Sequence, residues 1–238
     1  MTQVPTYLEM FPKYNNWWSQ LKVVAQRPAT LAAQKILEGK PRYQAVERQT
    51  GVPWYVIGLL HMRESNNSFS HWLHNGDPMR HPDGTPAKTV QVPAGRPPNP
   101  NASWEEGAVD ALQGFKLTQI KDWPVERIAY TAEAFNGWAY TMSYHMPSPY
   151  LFGGSSVQQR GKFIRDHVFD PTVWDSQLGV LTTLKTLMGI DSITLCPSMT
   201  ITEPKVTPAP LTPAPKAGPN LATKPGFWVT LFSFFRRK

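Results

Sequence analysis

The sequence predicts a mainly α fold of the α+β type, a helical body interrupted by one small irregular β lobe. Three observations predict it. Seven stretches, near 6–24, 28–38, 40–49, 53–65, 104–116, 125–135 and 173–188, carry helical apolar spacing or cap signals. One stretch, 66–102, is instead rich in Gly, Pro, Asn and Asp and holds only short β-prone pieces such as "KTVQV". Beyond 196 the composition changes again, to a linker and a short basic, aromatic end.

Taken in order, the 52–60 run "VPWYVIGLL" is apolar almost all round. Pro53 suits a first helical turn, so the run reads as a central, buried helix. At 103–106 Ser103 and Glu106 form a capping box, and the acids Glu105 and Glu106 are then helix-start residues. Asp170-Pro171 is expected to open the last helix of the body. Leu178, Leu181, Leu184 and Met188 would line one face, with Gly189 closing it. Residues 197–226 contain eight prolines amid Thr, Ala and Lys, the composition of an extended, semi-rigid linker. It leads into "GFWVTLFSFFRRK". On a helix Phe227, Trp228, Leu231, Phe234 and Phe235 share a face, and Arg236, Arg237 and Lys238 follow, a pattern that suits an anionic membrane surface, inner or outer. Docking of this end on its own domain or on a partner is the alternative. The domains expected are a body at 1–196, a linker at 197–226 and an amphipathic segment at 227–238.

Composition excludes several classes. One cysteine, Cys196, permits neither an intramolecular disulfide nor a cysteine-based zinc site. The net charge of +7 is uneven: residues 197–238 hold six basic residues against one acid, leaving about +2 for the first 196. A body so nearly neutral lacks the basic face that nucleic acid requires, so no nucleic-acid partner is expected. The N-terminus has neither a basic start nor an apolar core, and no stretch reaches the roughly 20 apolar residues of a membrane span. The expectation is a product made in the cytoplasm, and a monomer. His61, His71, His74 and His81 invite a metal reading, but their spacing matches no metal motif, and neither metal nor cofactor is expected.

One residue breaks the apolar pattern. In "HMRESNNSF" (61–69), Glu64 follows Ile57 and Leu60 on one helical face, at the helix C-terminal end. An unpaired carboxylate there is costly, so it is paired, exposed by a sharp turn, or kept for chemistry. Desolvation and the negative end of the helix dipole would both raise its pKa, as a general acid requires. Adjacent helical residues do not face each other, so Arg63 pairs with Glu64 only by bending back.

"RESNNSF" after an apolar helix resembles the Glu-Ser signature of the lysozyme superfamily, carried by goose-type lysozymes and soluble lytic transglycosylases. "EAFNGWAY" (133–140) is similar to the Tyr-Asn-Ala-Gly element of the transglycosylases, with Phe135-Asn136-Gly137 in its place. The stretch 40–188, with "LHNGDP" (73–78) and "VPAGRP" (92–97), also resembles lysozyme-like proteins of phages and prophages. The resemblance covers most of the body and none of the tail.

It implies a lysozyme-like fold and a peptidoglycan glycosidase, an endolysin that waits in the host cytoplasm before reaching the periplasm or wall. It implies Glu64 as the catalytic acid and Ser65 as a residue that steadies its carboxylate. Asn136 would contact a sugar amide, with Phe135 beside it; Tyr150, Tyr144 and Trp138 would offer aromatic platforms to the glycan, or, at this density of aromatics, belong to the core. Phage-type lysozymes add an Asp and a Thr on the β lobe to hold the hydrolytic water, and Asp77 and Thr89 occupy that lobe here. Two carboxyls about 6.5–9.5 Å apart would leave room for that water. Phe135 replaces a tyrosine that the transglycosylases employ, which favours hydrolysis. Each residue also has a plain structural reading: Glu64 as a paired helix end, Asp77 as an Asx turn before Pro78, Thr89 as a strand residue and Asn136 as the helix end before Gly137. The alternatives to a hydrolase are a lytic transglycosylase and a non-catalytic peptidoglycan-binding or virion protein.

Overall fold

The computed structural model describes residues 3–165 and 168–199. The linker from 200 onward and the amphipathic segment at 227–238 lie outside the described residues. Among the described residues, nine α-helices and one two-stranded sheet appear, the mainly α architecture expected. The helices are α1 Tyr7–Gln20, α2 Gln26–Glu38, α3 Lys40–Thr50, α4 Trp54–Ser65, α5 Trp104–Gly114, α6 Val125–Asn136, α7 Ala139–Ser143, α8 Pro149–Phe152 and α9 Val180–Met188. The strands β1 Lys162–Arg165 and β2 Val168–Asp170 pair antiparallel, with Phe163 opposite Phe169.

The apolar run becomes the central helix. Every α4 residue from Trp54 to Met62 is buried, and α4 packs against α2, α3 and α9. Gly58 permits the close approach: a Cβ there would meet Ile36 Cγ2 at 2.6 Å and the Tyr43 ring at 3.1 Å. α1 packs on α6, and α8 bridges α6 and α9. The Ser103–Glu106 capping box forms at α5, and Thr6 and Glu9 make a second one at α1.

Two expectations need correction. The last helix does not open at Asp170-Pro171. Asp170 ends β2 and turns the chain, accepting from the Thr172 N–H at 2.8 Å and the Thr172 hydroxyl at 2.7 Å. The helix begins only at Val180, after Gly179. Leu181 and Leu184 are fully buried in it, whereas Leu178 precedes it and Met188 is partly buried.

The lobe at 66–102 contains no strand, only the isolated bridges His71–Pro78 and Arg80–Pro86. Its seven prolines each remove a ladder donor, so "KTVQV" closes onto side chains and turns rather than onto a partner strand. The paired strands lie within 162–170 instead, where two short apolar pairs, Phe163-Ile164 and Val168-Phe169, give no clean alternation to read.

Candidate functional site

The end of α4 builds the site. Asn66 and Asn67 both adopt left-handed backbone (φ 53° and 57°), a conformation Asn tolerates better than most residues. The Asn66 N–H caps the helix on the His61 and Met62 carbonyls, so the helix stops sharply one turn past the core. The Asn67 side chain donates to the Gly58 carbonyl and the Tyr43 hydroxyl, both at 2.9 Å. Tyr43 in turn meets His61 Nδ1 at 2.9 Å, while His61 Nε2 sits 3.1 Å from the Ser68 carbonyl. A carbonyl only accepts, so Nε2 carries the proton and Nδ1 takes the tyrosine hydrogen. Burial pushes the His61 pKa down to about 3 and keeps the ring neutral. This largely buried chain of bonds locks the turn after Glu64, and His61 is structural.

Glu64 itself is partly open. Its Oε1 accepts from the Tyr150 hydroxyl at 2.7 Å. Desolvation nevertheless dominates and raises the carboxyl from its ordinary 4.5 to about 7, against the opposing pull of the Tyr150 bond and the Arg63 charge. Arg63 does not bend back to form an ion pair. Its guanidinium lies 4.4 Å from the centre of the Tyr150 ring, and Nη1 donates to the Leu178 carbonyl at 2.9 Å. Glu64 and Arg63 thus tie the end of α4 to Tyr150 on α8 and to the loop before α9.

Several neighbours take roles other than those the sequence suggests. Ser65 does not steady the carboxylate; its hydroxyl lies 3.3 Å from the His61 carbonyl and 3.5 Å from that of Ser68. Tyr150 is no open platform, being only 4% exposed, and it is the partner of Glu64. Nothing local announces that contact, because the two residues are 86 positions apart. Phe135 is buried against Phe115, ring centres 4.0 Å apart, and belongs to the core. Trp138 is likewise buried against Tyr130. Asn136 ends α6 before Gly137, in line with its structural reading, yet among the described residues its buried Nδ2 has no hydrogen-bond partner. That unused donor keeps Asn136 a candidate for an acceptor such as a sugar amide carbonyl.

The β lobe is drawn onto the helix end by Gly76. Its φ is +74°, and a Cβ there would lie 2.2 Å from the Glu64 carbonyl oxygen, so no side chain fits. Asp77 follows directly. Its Oδ2 accepts from the Val90 N–H at 2.8 Å, the Gln91 N–H at 3.0 Å and Asn75 Nδ2 at 3.1 Å. Asn75 Oδ1 also accepts from the Asp77 N–H at 3.0 Å, an Asx turn. Asp77 therefore clasps "KTVQV" to the turn through one oxygen, and Oδ1 takes no hydrogen bond among the described residues. Thr89 does not hold a water. It is 3% exposed, and its hydroxyl donates to the Pro93 carbonyl at 2.5 Å and accepts from the Arg96 N–H at 2.8 Å. Farther out, His74 Nε2 meets Asp110 at 2.8 Å and Arg96 forks onto the same carboxylate, tying the lobe to α5.

One depression of about 420 Å³ opens in the lobe, lined by Phe69, Ser70, His71, Pro78, Met79 and Arg80. Glu64 is not in its wall, so this depression and the acid are separate features. Among the described residues no group of three or more His, Cys, Asp and Glu is placed to hold a metal ion. None of the helices described is long and apolar enough to cross a membrane.

Glu133 was not singled out from the sequence, although the signal that marked Glu64 was present: an acid on the apolar face of a helix, near its C-terminal end. It is fully buried, accepts from the Tyr14 hydroxyl at 2.6 Å and from the Thr141 hydroxyl, and burial lifts its pKa to about 7. No protein-family model matches the chain, and neither a curated protein nor a solved structure matches it.

Proposed function

We propose that the chain is a peptidoglycan glycosidase of the endolysin kind, an N-acetylmuramidase cleaving the β-1,4 bond between N-acetylmuramic acid and N-acetylglucosamine. The observation that carries this reading is the Glu64 carboxyl. It is partly open at the end of a helix buried from Trp54 to Met62, held by a tyrosine hydroxyl and raised to about 7. Such a group keeps a proton near neutral pH and delivers it to a leaving glycosidic oxygen. Tyr150 then donates to the carboxylate that remains. The free Oδ1 of Asp77 orders the attacking water, and Asn136 Nδ2 supplies a donor for an acetamido carbonyl. That water bonds to the anomeric carbon as the bond to the leaving oxygen breaks through an oxocarbenium-like transition state, and its proton passes to Asp77 Oδ1.

A second reading is favoured by one specific observation. Asp77 Oδ2 is committed to two backbone N–H groups and Asn75, so the lobe uses this carboxylate structurally. A lytic transglycosylase needs only the single glutamate and closes the sugar on its own 6-hydroxyl, giving a 1,6-anhydro product. A non-catalytic wall-binding or virion protein is the third. Mass spectrometry of digested peptidoglycan separates them: reducing muropeptides for hydrolysis, anhydro products for transglycosylation, no release for binding alone.

In this reading the enzyme waits in the host cytoplasm and meets the wall after release. Its basic aromatic end engages an anionic membrane, where each Lys or Arg contributes about 1 kcal/mol. Ser198 still bonds the buried Glu126, at 2.8 and 3.0 Å, so a truncation should end after Met199. Such a chain should digest purified wall as the full chain does and lose its action on intact cells with an outer membrane. Equal killing of intact cells by both would remove the tail from this role.

A further inference from the structure

The β1–β2 hairpin presents aromatic surface to solvent. Tyr144 is 40% exposed and stacks on Phe169, ring centres 3.7 Å apart and planes 19° from parallel. Phe163 meets Tyr144 edge-on at 5.7 Å and is only half-buried. Gly161 brings a third segment to the group: a Cβ there would touch the Phe169 ring at 2.5 Å, and its N–H donates to the Val173 carbonyl at 2.9 Å. The next residue, Trp174, is 49% exposed, and Ile164 on β1 is 47% exposed. Large aromatics left open in one neighbourhood mark a contact surface more often than chance exposure does.

This surface is tied through partly buried contacts to the segment that Arg63, next to Glu64, holds. Phe163 N–H donates to the Tyr140 hydroxyl at 3.2 Å, and Lys162 pairs with buried Asp175 at 3.0 Å in the loop that follows Trp174. That same loop ends at Leu178, whose carbonyl Arg63 grips from beside Glu64. The hairpin is therefore anchored to the same segment that Arg63 grips at the end of α4. Arg160 and Arg165 are exposed beside it, and the half-buried Asp170 carboxylate is taken up by Thr172, so the face falls short of the cluster of cations that a lipid- or nucleic-acid-binding patch carries.

We propose that Tyr144, Phe163, Phe169 and Trp174 form an accessory glycan-binding face for a hexosamine polysaccharide strand extending from the Glu64 site. The C–H faces of pyranose rings carry slight positive charge and match the negative faces of aromatic rings, and a ring pair stacked in advance loses little entropy on binding. The proposal rests on the peptidoglycan reading of Glu64, but it is testable without turnover.

The test uses the full chain carrying Glu64→Gln, co-sedimented with purified peptidoglycan. Adding Tyr144→Ala and Trp174→Ala together should weaken binding at least about tenfold, with the near-ultraviolet circular dichroism otherwise that of a folded chain. Trp174→Phe alone, which keeps a ring, should bind more tightly than Trp174→Ala alone. Leu31→Ala, at an exposed apolar residue of α2, should bind as the parent does. Unchanged binding by the double variant overturns the proposal, as does a Trp174→Phe variant no better than Trp174→Ala. A double variant that keeps wall binding but loses binding to anionic vesicles overturns it in favour of a lipid face. If wild type releases no fragments, the glycosidase reading fails by itself, and this binding comparison still stands.

Discussion

Glu64 and Glu133 are both carboxyls near helix C-terminal ends, and burial raises each to about 7. Their surroundings differ. Glu133 is fully buried and its two oxygens accept from two hydroxyls, Tyr14 on α1 and Thr141 on α7. Glu64 is partly open and holds one hydroxyl, leaving Oε2 uncommitted among the described residues. The comparison teaches that a raised pKa does not by itself mark an acid for chemistry. Glu133 joins three helices through a sealed network, whereas Glu64 retains an open side and a loop, 75–77, against its own backbone.

The largest effect that breaks the comparison is Glu64→Gln. It keeps size and can still accept from Tyr150 but has no proton to give, so wall digestion should fall by roughly 10²-fold or more with the fold intact. Clearing of walls at near the wild-type rate would put Glu64 on the same footing as Glu133. Asp77→Asn comes next and asks whether Glu64 has a second carboxylate to work with. Under hydrolysis the rate should fall by about 10²-fold, well beyond what a small drop in melting temperature accounts for. A rate that merely follows the melting temperature assigns Asp77 to the loop and moves the chemistry to the one-glutamate mechanism.

Tyr150→Phe should cost roughly tenfold in rate, the scale of one hydrogen bond to a charged group. Tyr150 stabilises the carboxylate, so its loss raises the Glu64 pKa further, and the alkaline limb of the pH–rate profile should move to higher pH. A limb that stays in place would mean that Tyr150 does not tune the acid.

The smallest effect on activity is expected from Glu133→Gln, which should leave digestion near wild type and act on stability. The folded chain holds the Glu133 proton up to about pH 7, whereas the unfolded chain releases it near the ordinary 4.5. The folded state thus binds more protons between those values, and stability falls as pH rises from about 4.5 to about 7. Glutamine does not titrate, so denaturant midpoints measured across that range should decline less steeply in the variant. Glu64 contributes with the same sign, and the Glu64→Gln, Glu133→Gln double variant should be flatter still. A slope identical to wild type would show that Glu133 does not hold its proton.

What the sequence by itself determined is what short range controls. The apolar run at 52–60 forms the buried α4, the Ser103–Glu106 box starts α5, and the Asn66-Asn67 pair ends α4 so that Glu64 stands at the boundary of the core. Caps, turns and periodicity join residues a few positions apart, so their physics can be read along the chain. Tertiary structure alone decided which groups meet. Tyr150 reaches Glu64 across 86 residues, Tyr14 reaches Glu133 across 119, and Asp77 spends an oxygen on N–H groups 13 and 14 residues away. Such contacts arise when helices close on one another, and no local spacing encodes them. For the same reason Thr89 and Phe135 fit a site by motif and became a loop pin and a core ring once packed. A side chain's role depends on whether its polar atoms are already satisfied and its surface already covered, and both are properties of the packed chain.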